Sequence, residues 1–185
     1  MSRTAVFLMD LQVDFLDSGN GRMPVGDAGA DQVLRAARAV LSGRAYAGAL
    51  VVAIANAFRR SQLIGNLFRR NAALAGTRGA EIDPRVGVSP EVPVFRKSAP
   101  SAFSNRELHR FLQSKGVTDI VLVGVFAEAC VRATALQARS LGYKVTAPLD
   151  AIATSSPRRL ARAARSMRSQ GVLLPPSIWE AAGTN

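Results

Sequence analysis

Three side chains in this sequence could together carry out nucleophilic chemistry: the single cysteine, Cys130, with Lys97 and Asp10. Cysteine attacks as its thiolate, a form favoured by a nearby cation or by the unpaired N–H groups at a helix start. A lysine beside it would stabilise the thiolate or a developing oxyanion, and an aspartate would secure the lysine's own charge. Each residue also has a plain alternative. Cys130 could be a small buried apolar residue, Asp10 a cap on the following turn, and Lys97 a surface charge.

The elements that carry these residues bear on the choice. Ala5 to Met9 is a short apolar run ending in Asp10, and a strand over Val92 to Phe95 leads into Arg96 and Lys97. The continuous apolar run Ile120 to Phe126 reads as a strand buried on both faces. It feeds an Ala-rich helix, Glu128 to Leu141, closed by Gly142, and Cys130 falls in that helix's first turn. Further strands are expected at Gly48 to Ala55, with Asn56 at its end, at Tyr143 to Pro148, with Asp150 just past it, and at Gly171 to Leu174. Helices are expected over Ala30 to Leu41 and over Asn105 to Ser114. Ser104 is read as the cap of the second, Glu107 as completing its capping box, and His109 as surface. A last helix opens at Ser156 and Pro157, burying Leu160, Ala164 and Met167 and exposing Arg158, Arg162, Arg165 and Arg168.

Ala57 to Gly79 reads as one amphipathic helix with paired arginines at Arg59, Arg60, Arg69 and Arg70. These are either a solvated face or guanidinium forks for a substrate carboxylate. Strands alternating with helices imply an α/β fold: a three-layer α/β/α, Rossmann-like arrangement around a six-stranded parallel sheet. Parallel sheets assemble ligand sites at the carboxyl ends of their strands, where Asp10, Lys97 and Cys130 all stand.

The 185 residues suit a single domain over 1–185. No uncharged apolar run approaches the roughly 18 residues of a membrane span, and the N-terminus lacks a signal-peptide pattern. With one cysteine and no internal disulfide, a cytoplasmic chain is expected. The formal net charge of +11 would attract anions. Few aromatic side chains are present for stacking, so no specific nucleic-acid partner is expected, nor a membrane one.

MDLQVDF at Met9 to Phe15 resembles the opening D-x-Q-x-D-F motif of the isochorismatase-like cysteine hydrolase superfamily. GTRGAEIDPRV at Gly76 to Val86, KSAPSAF at Lys97 to Phe103 and GVFAEACVRATALQARSLGYKV at Gly124 to Val145 resemble its later motifs, in the same order. The resemblance runs from about Thr4 to Val172. It implies Cys130 as nucleophile, Asp10 as proton-transferring residue and Lys97 as the cation holding both. It also implies a cis peptide between Val125 and Phe126, with an oxyanion hole of backbone N–H groups near Phe126 and Cys130. Gln12, Phe15, Asn56 and Arg60 are the expected substrate contacts, and Asn56 to Asn71 is expected to line or cover the pocket.

One departure bears on chemistry. Metal-dependent nicotinamidases of the superfamily carry Asp-x-His after the second strand, where this chain has Asn56, Ala57 and Phe58, so no metal or other cofactor is expected. The expected function is thus cysteine-dependent cleavage of a C–N amide or carbamoyl bond in a small molecule, in a homodimer or tetramer like those common among relatives. The alternatives are an isochorismatase-type hydrolase of an anionic vinyl ether, and a retired binding protein for anionic partners. Rapid alkylation of Cys130 near neutral pH is expected of a live site.

Overall fold

β1 (Thr4–Met9) is the axis of a parallel sheet, with β2 (Leu50–Asn56) on one side and β4 (Asp119–Val125) on the other. The computed structural model describes residues 3–182, so residues 1–2 and 183–185 of the expected domain lie outside the described residues. β3 (Val94–Lys97) pairs with β2 and β5 (Lys144–Thr146) with β4, giving the order β3-β2-β1-β4-β5. The chain runs outward through β1, β2 and β3, then returns to place β4 against the other side of β1. The carboxyl ends of β1 and β4 therefore flank the point where the winding reverses, which is where such sheets open a crevice.

β5 (Lys144–Thr146) pairs with the first half of β4, and β6 (Ile152–Ala153) pairs with its last residues, Gly124 and Val125. This corrects the expected sixth strand at Gly171 to Leu174. That segment makes one bridge, Thr146 to Leu173, while the two residues of β6 complete the sheet.

Alternating side chains of β1 enter two separate cores. Val6 and Leu8 pack with α1 (Val13–Leu16) and with α2 (Asp27–Leu41), whose Val33, Leu34, Ala37 and Val40 are buried. Ala5, Phe7 and Met9 pack on the opposite face with α4 (Arg106–Ser114), α5 (Arg132–Ser140) and α6 (Pro157–Ser169). Because both faces of the central strands are covered, they read in sequence as unbroken apolar runs. No helix among the described residues is long and apolar enough to cross a membrane.

Three local readings are corrected. Ala57 to Gly79 is not one helix. It contains the short α3 (Leu63–Phe68), then turns in which Arg70, Asn71 and Ala73 have left-handed backbone, then a 3₁₀ turn at Arg78–Ala80. The cap of α4 is Asn105, whose side chain accepts from the Glu107 N–H, and not Ser104. His109 is a half-buried wedge: its Nδ1 lies 3.0 Å from the Tyr143 hydroxyl and its ring packs edge-on to Phe103.

Gly124 marks where β4 must pass close to β1. Its φ is +140°, and a side chain there would run into the Met9 carbonyl oxygen, which belongs to the backbone and cannot swing aside. Gly124→Ala is expected to destabilise the protein by about 3 kcal/mol, from overpacking together with backbone strain. Urea denaturation measures this; a loss under about 1 kcal/mol would show that β1 and β4 can separate cheaply.

Candidate active site

The order of roles along Met9 to Phe15 follows from the strand ending inside the protein. Asp10 leaves β1 with φ 54°, an unusual backbone for a non-glycine residue, and its N–H donates to the Ile54 carbonyl. Gln12 is fully buried. Its Nε2 donates to the carbonyls of Asn56 (2.8 Å) and Ala80 (2.7 Å), and its Oε1 accepts from the Asn56 N–H (2.8 Å). Asp14 ties in a second loop by accepting from the Ala73 N–H at 2.7 Å. The motif thus places one carboxylate, clamps two loops with its polar residues, and points Phe15 at a cavity.

Parallel pairing sets Lys97 directly across from Asn56 at the ends of β3 and β2. The Lys97 Nζ donates to Asn56 Oδ1 at 2.6 Å and to Asp10 Oδ2 at 3.0 Å, and it reaches Cys130 Sγ at 3.3 Å. The Lys97 side chain is fully buried and Asp10 nearly so. Burial by itself would lower the lysine's pKa, yet the Asp10 carboxylate and Cys130 beside it hold the pKa above its ordinary value. Asp10 Oδ1 is buried and has no hydrogen-bond partner among the described residues.

β4 ends in a cis peptide between Val125 and Phe126. Ala127–Val131 then forms a single π-helical turn running into α5, and Cys130 lies within it. Thr134, one turn later, is buried and accepts from the Ala102 N–H at 3.0 Å, which fastens this helix to the segment after Lys97.

The expectation of a poised thiolate is corrected here. Burial, followed by the Asp10 carboxylate, pushes the Cys130 thiol up to about 12, and Lys97 offsets only part of this. The resting form at neutral pH is therefore the thiol. Alkylation of Cys130 by iodoacetamide should be slow near pH 7 and rise about tenfold per pH unit up to about pH 10, following the thiolate fraction. A rate that levels off below pH 8 would contradict this environment.

Asp10 and Cys130 line a cavity of about 170 Å³ with Phe15, Met23, Asn56, Phe58, Arg69, Ser98, Pro100, Phe126 and Ala129, while Lys97 stays outside its lining and reaches both residues through its Nζ. Phe15 meets Phe126 edge-on, with ring centres 5.6 Å apart. Of the expected substrate contacts, Phe15 and Asn56 line this space and two residues do not. Gln12 lies beneath it as a clamp, and Arg60 is exposed outside it. The arginine that lines the cavity is Arg69. Among the described residues, no group of three or more His, Cys, Asp or Glu side chains is arranged to hold a metal ion.

Comparison with known proteins gives this arrangement its context. Residues 4–174 match the model of the isochorismatase domain. A probable inactive nicotinamidase of Arabidopsis thaliana is 32% identical over 93% of this chain and 91% of its own length. The streptothricin hydrolase of Streptomyces noursei is 35% identical over 81% of this chain, though the match covers 54% of that protein. Among solved structures, an isochorismatase-like hydrolase from Alkaliphilus metalliredigens superimposes with a TM-score of 0.84 at 22% identity, covering 94% of this chain and 95% of that one. The pyrazinamidase of Pyrococcus horikoshii in complex with zinc gives 0.79 at 27% identity, covering 93% and 98%. A family match over nearly the whole chain, with the parallel sheet that these structures share, shows that the chain belongs to the isochorismatase family of hydrolases.

Proposed function

We propose that this chain hydrolyses a C–N amide or carbamoyl bond of a small molecule through a thioester on Cys130. The observation that carries the reading is the buried Lys97 ammonium, which bridges the Asp10 carboxylate and the Cys130 sulfur, two residues that line a small, largely apolar cavity. A buried cation shared between a carboxylate and a thiol is an arrangement that can activate a nucleophile.

Because the thiol rests protonated, the first step is transfer of its proton to Asp10, whose Oδ1 is free of other partners. Sγ attacks the carbonyl carbon as the proton leaves, and Lys97 stays charged throughout, opposing the negative charge that accumulates. Backbone N–H groups near Phe126 and Cys130 receive the oxyanion. Asp10 then returns the proton to the departing nitrogen, and the C–N bond breaks. Water adds to the thioester with Asp10 as base, releasing the acid and restoring the thiol. The largely apolar lining of the small cavity lowers the local dielectric, which strengthens each charge interaction in the sequence.

The test is ammonia release from a panel of small amides and carbamoyl compounds, with the Cys130→Ala protein as control. Turnover of at least one member that vanishes in the control supports the reading. A control as active as the wild type sinks it. Vinyl-ether cleavage retained by the same control, and lost with Asp10→Ala, would select the ether reaction instead.

A further inference from the structure

We propose that Arg69 is the anion-binding residue of this cavity, and that the substrate is a small amide carrying a carboxylate a few bonds from the scissile carbonyl. The proposal rests on the amide-hydrolase reading and adds the substrate class.

Arg69 is placed with more care than a surface arginine. One face of its guanidinium lies over the Phe58 ring, 3.7 Å from the centroid. On α3, Gly65 leaves room for it; a side chain at that position would begin 2.9 Å from both terminal nitrogens. One terminal nitrogen donates to Asn66 Oδ1 at 2.9 Å. Asn66 is itself buried and anchored, its Nδ2 donating to the Arg59 carbonyl at 2.9 Å. These contacts fix the plane of the fork and leave part of its donor edge uncommitted. The Nε–H is buried without an acceptor among the described residues, and no carboxylate among them lies within ion-pair distance of Arg69.

The charges in the cavity point the same way. The Asp10 carboxylate and the Lys97 ammonium cancel, so Arg69 supplies the cavity's net charge. Partial burial lowers the Arg69 pKa. An unpaired, partly desolvated guanidinium beside apolar walls is unfavourable until an anion arrives, and a carboxylate matches its fork in two-point geometry. The remaining lining, Phe15, Met23, Phe126 and Pro100, suits a short apolar spacer. At about 170 Å³ the cavity takes a compact substrate. An amide at the Cys130 end and a carboxylate at the Arg69 end fill it with both ends satisfied.

Calorimetry on the Cys130→Ala protein tests this without turnover, using malonamate, succinamate and glutaramate against the matching neutral diamides. At least one monoamide is expected to bind tenfold or more tightly than its diamide, with the preference lost in Cys130→Ala/Arg69→Gln and partly kept in Cys130→Ala/Arg69→Lys. In the Cys130 enzyme, Arg69→Gln should raise KM for that monoamide about tenfold or more while changing kcat by less than about threefold. If no monoamide outbinds its diamide, or if the preference survives Arg69→Gln, the assignment is wrong. Either result leaves the Cys130 reading to be judged by ammonia release alone.

Discussion

The Cys130→Ala protein is expected to fold as the wild type does and to lose amide turnover by about 10⁴-fold or more, since the thiol held beside Lys97 is the nucleophile of the proposed reaction. The stability change should be small, about 1 kcal/mol, because a partly buried cysteine contributes little volume and its sulfur is one of three Lys97 partners. Lys97 stays paired with Asp10 and Asn56 after the change, so the site is not left with an unbalanced charge. Steady-state ammonia release measures the first effect and thermal unfolding the second. Loss of both fold and turnover would mean that the thiol is structural.

Lys97→Met should have the opposite balance, with a stability loss of about 3 to 5 kcal/mol alongside loss of turnover. The Asp10 carboxylate is nearly inaccessible, and its Oδ2 is bound to Lys97 Nζ. Removing the cation leaves a buried carboxylate beside a thiol and an amide oxygen, which is the expensive way to break a buried pair. Removing both charges together, with Lys97→Met and Asp10→Asn, should restore most of the lost stability while leaving the protein inactive, because a neutral pair no longer carries the desolvation penalty. Urea unfolding of the two singles and the double separates these outcomes. If the double variant is as unstable as Lys97→Met alone, the charge argument fails and the lysine acts through packing.

Much of this site could be read before the fold was seen, because its signals are local. A strand covered on both faces must be apolar throughout, so Ala5 to Met9 and Ile120 to Phe126 announce themselves, and a polar residue just after such a run has to stand at a sheet edge. The same logic does not reach β6, whose two residues are too few to carry a period. Nor does it reach Ala57 to Gly79. There the paired arginines suggested a helical face, but left-handed turns at Arg70, Asn71 and Ala73 fold the segment back so that Arg69 meets the cavity and Arg60 does not. Gln12 was legible as important and misassigned in role. Its partners are backbone groups at Asn56 and Ala80, distant in sequence and silent in any local pattern.

By itself the sequence determined the layer architecture, the strand ends that carry Asp10, Lys97 and Cys130, and the helix that follows the cysteine, since each depends on the period and composition of a short segment. Only the tertiary structure decided which arginine lines the cavity and what charge state the thiol rests in. Both depend on through-space neighbours: the turns that return Arg69 to the pocket, and the burial and carboxylate that outweigh Lys97 at the sulfur. A helix start favours a thiolate weakly and from nearby, whereas desolvation and a carboxylate beside the sulfur oppose it strongly, and those appear only once the strands are side by side.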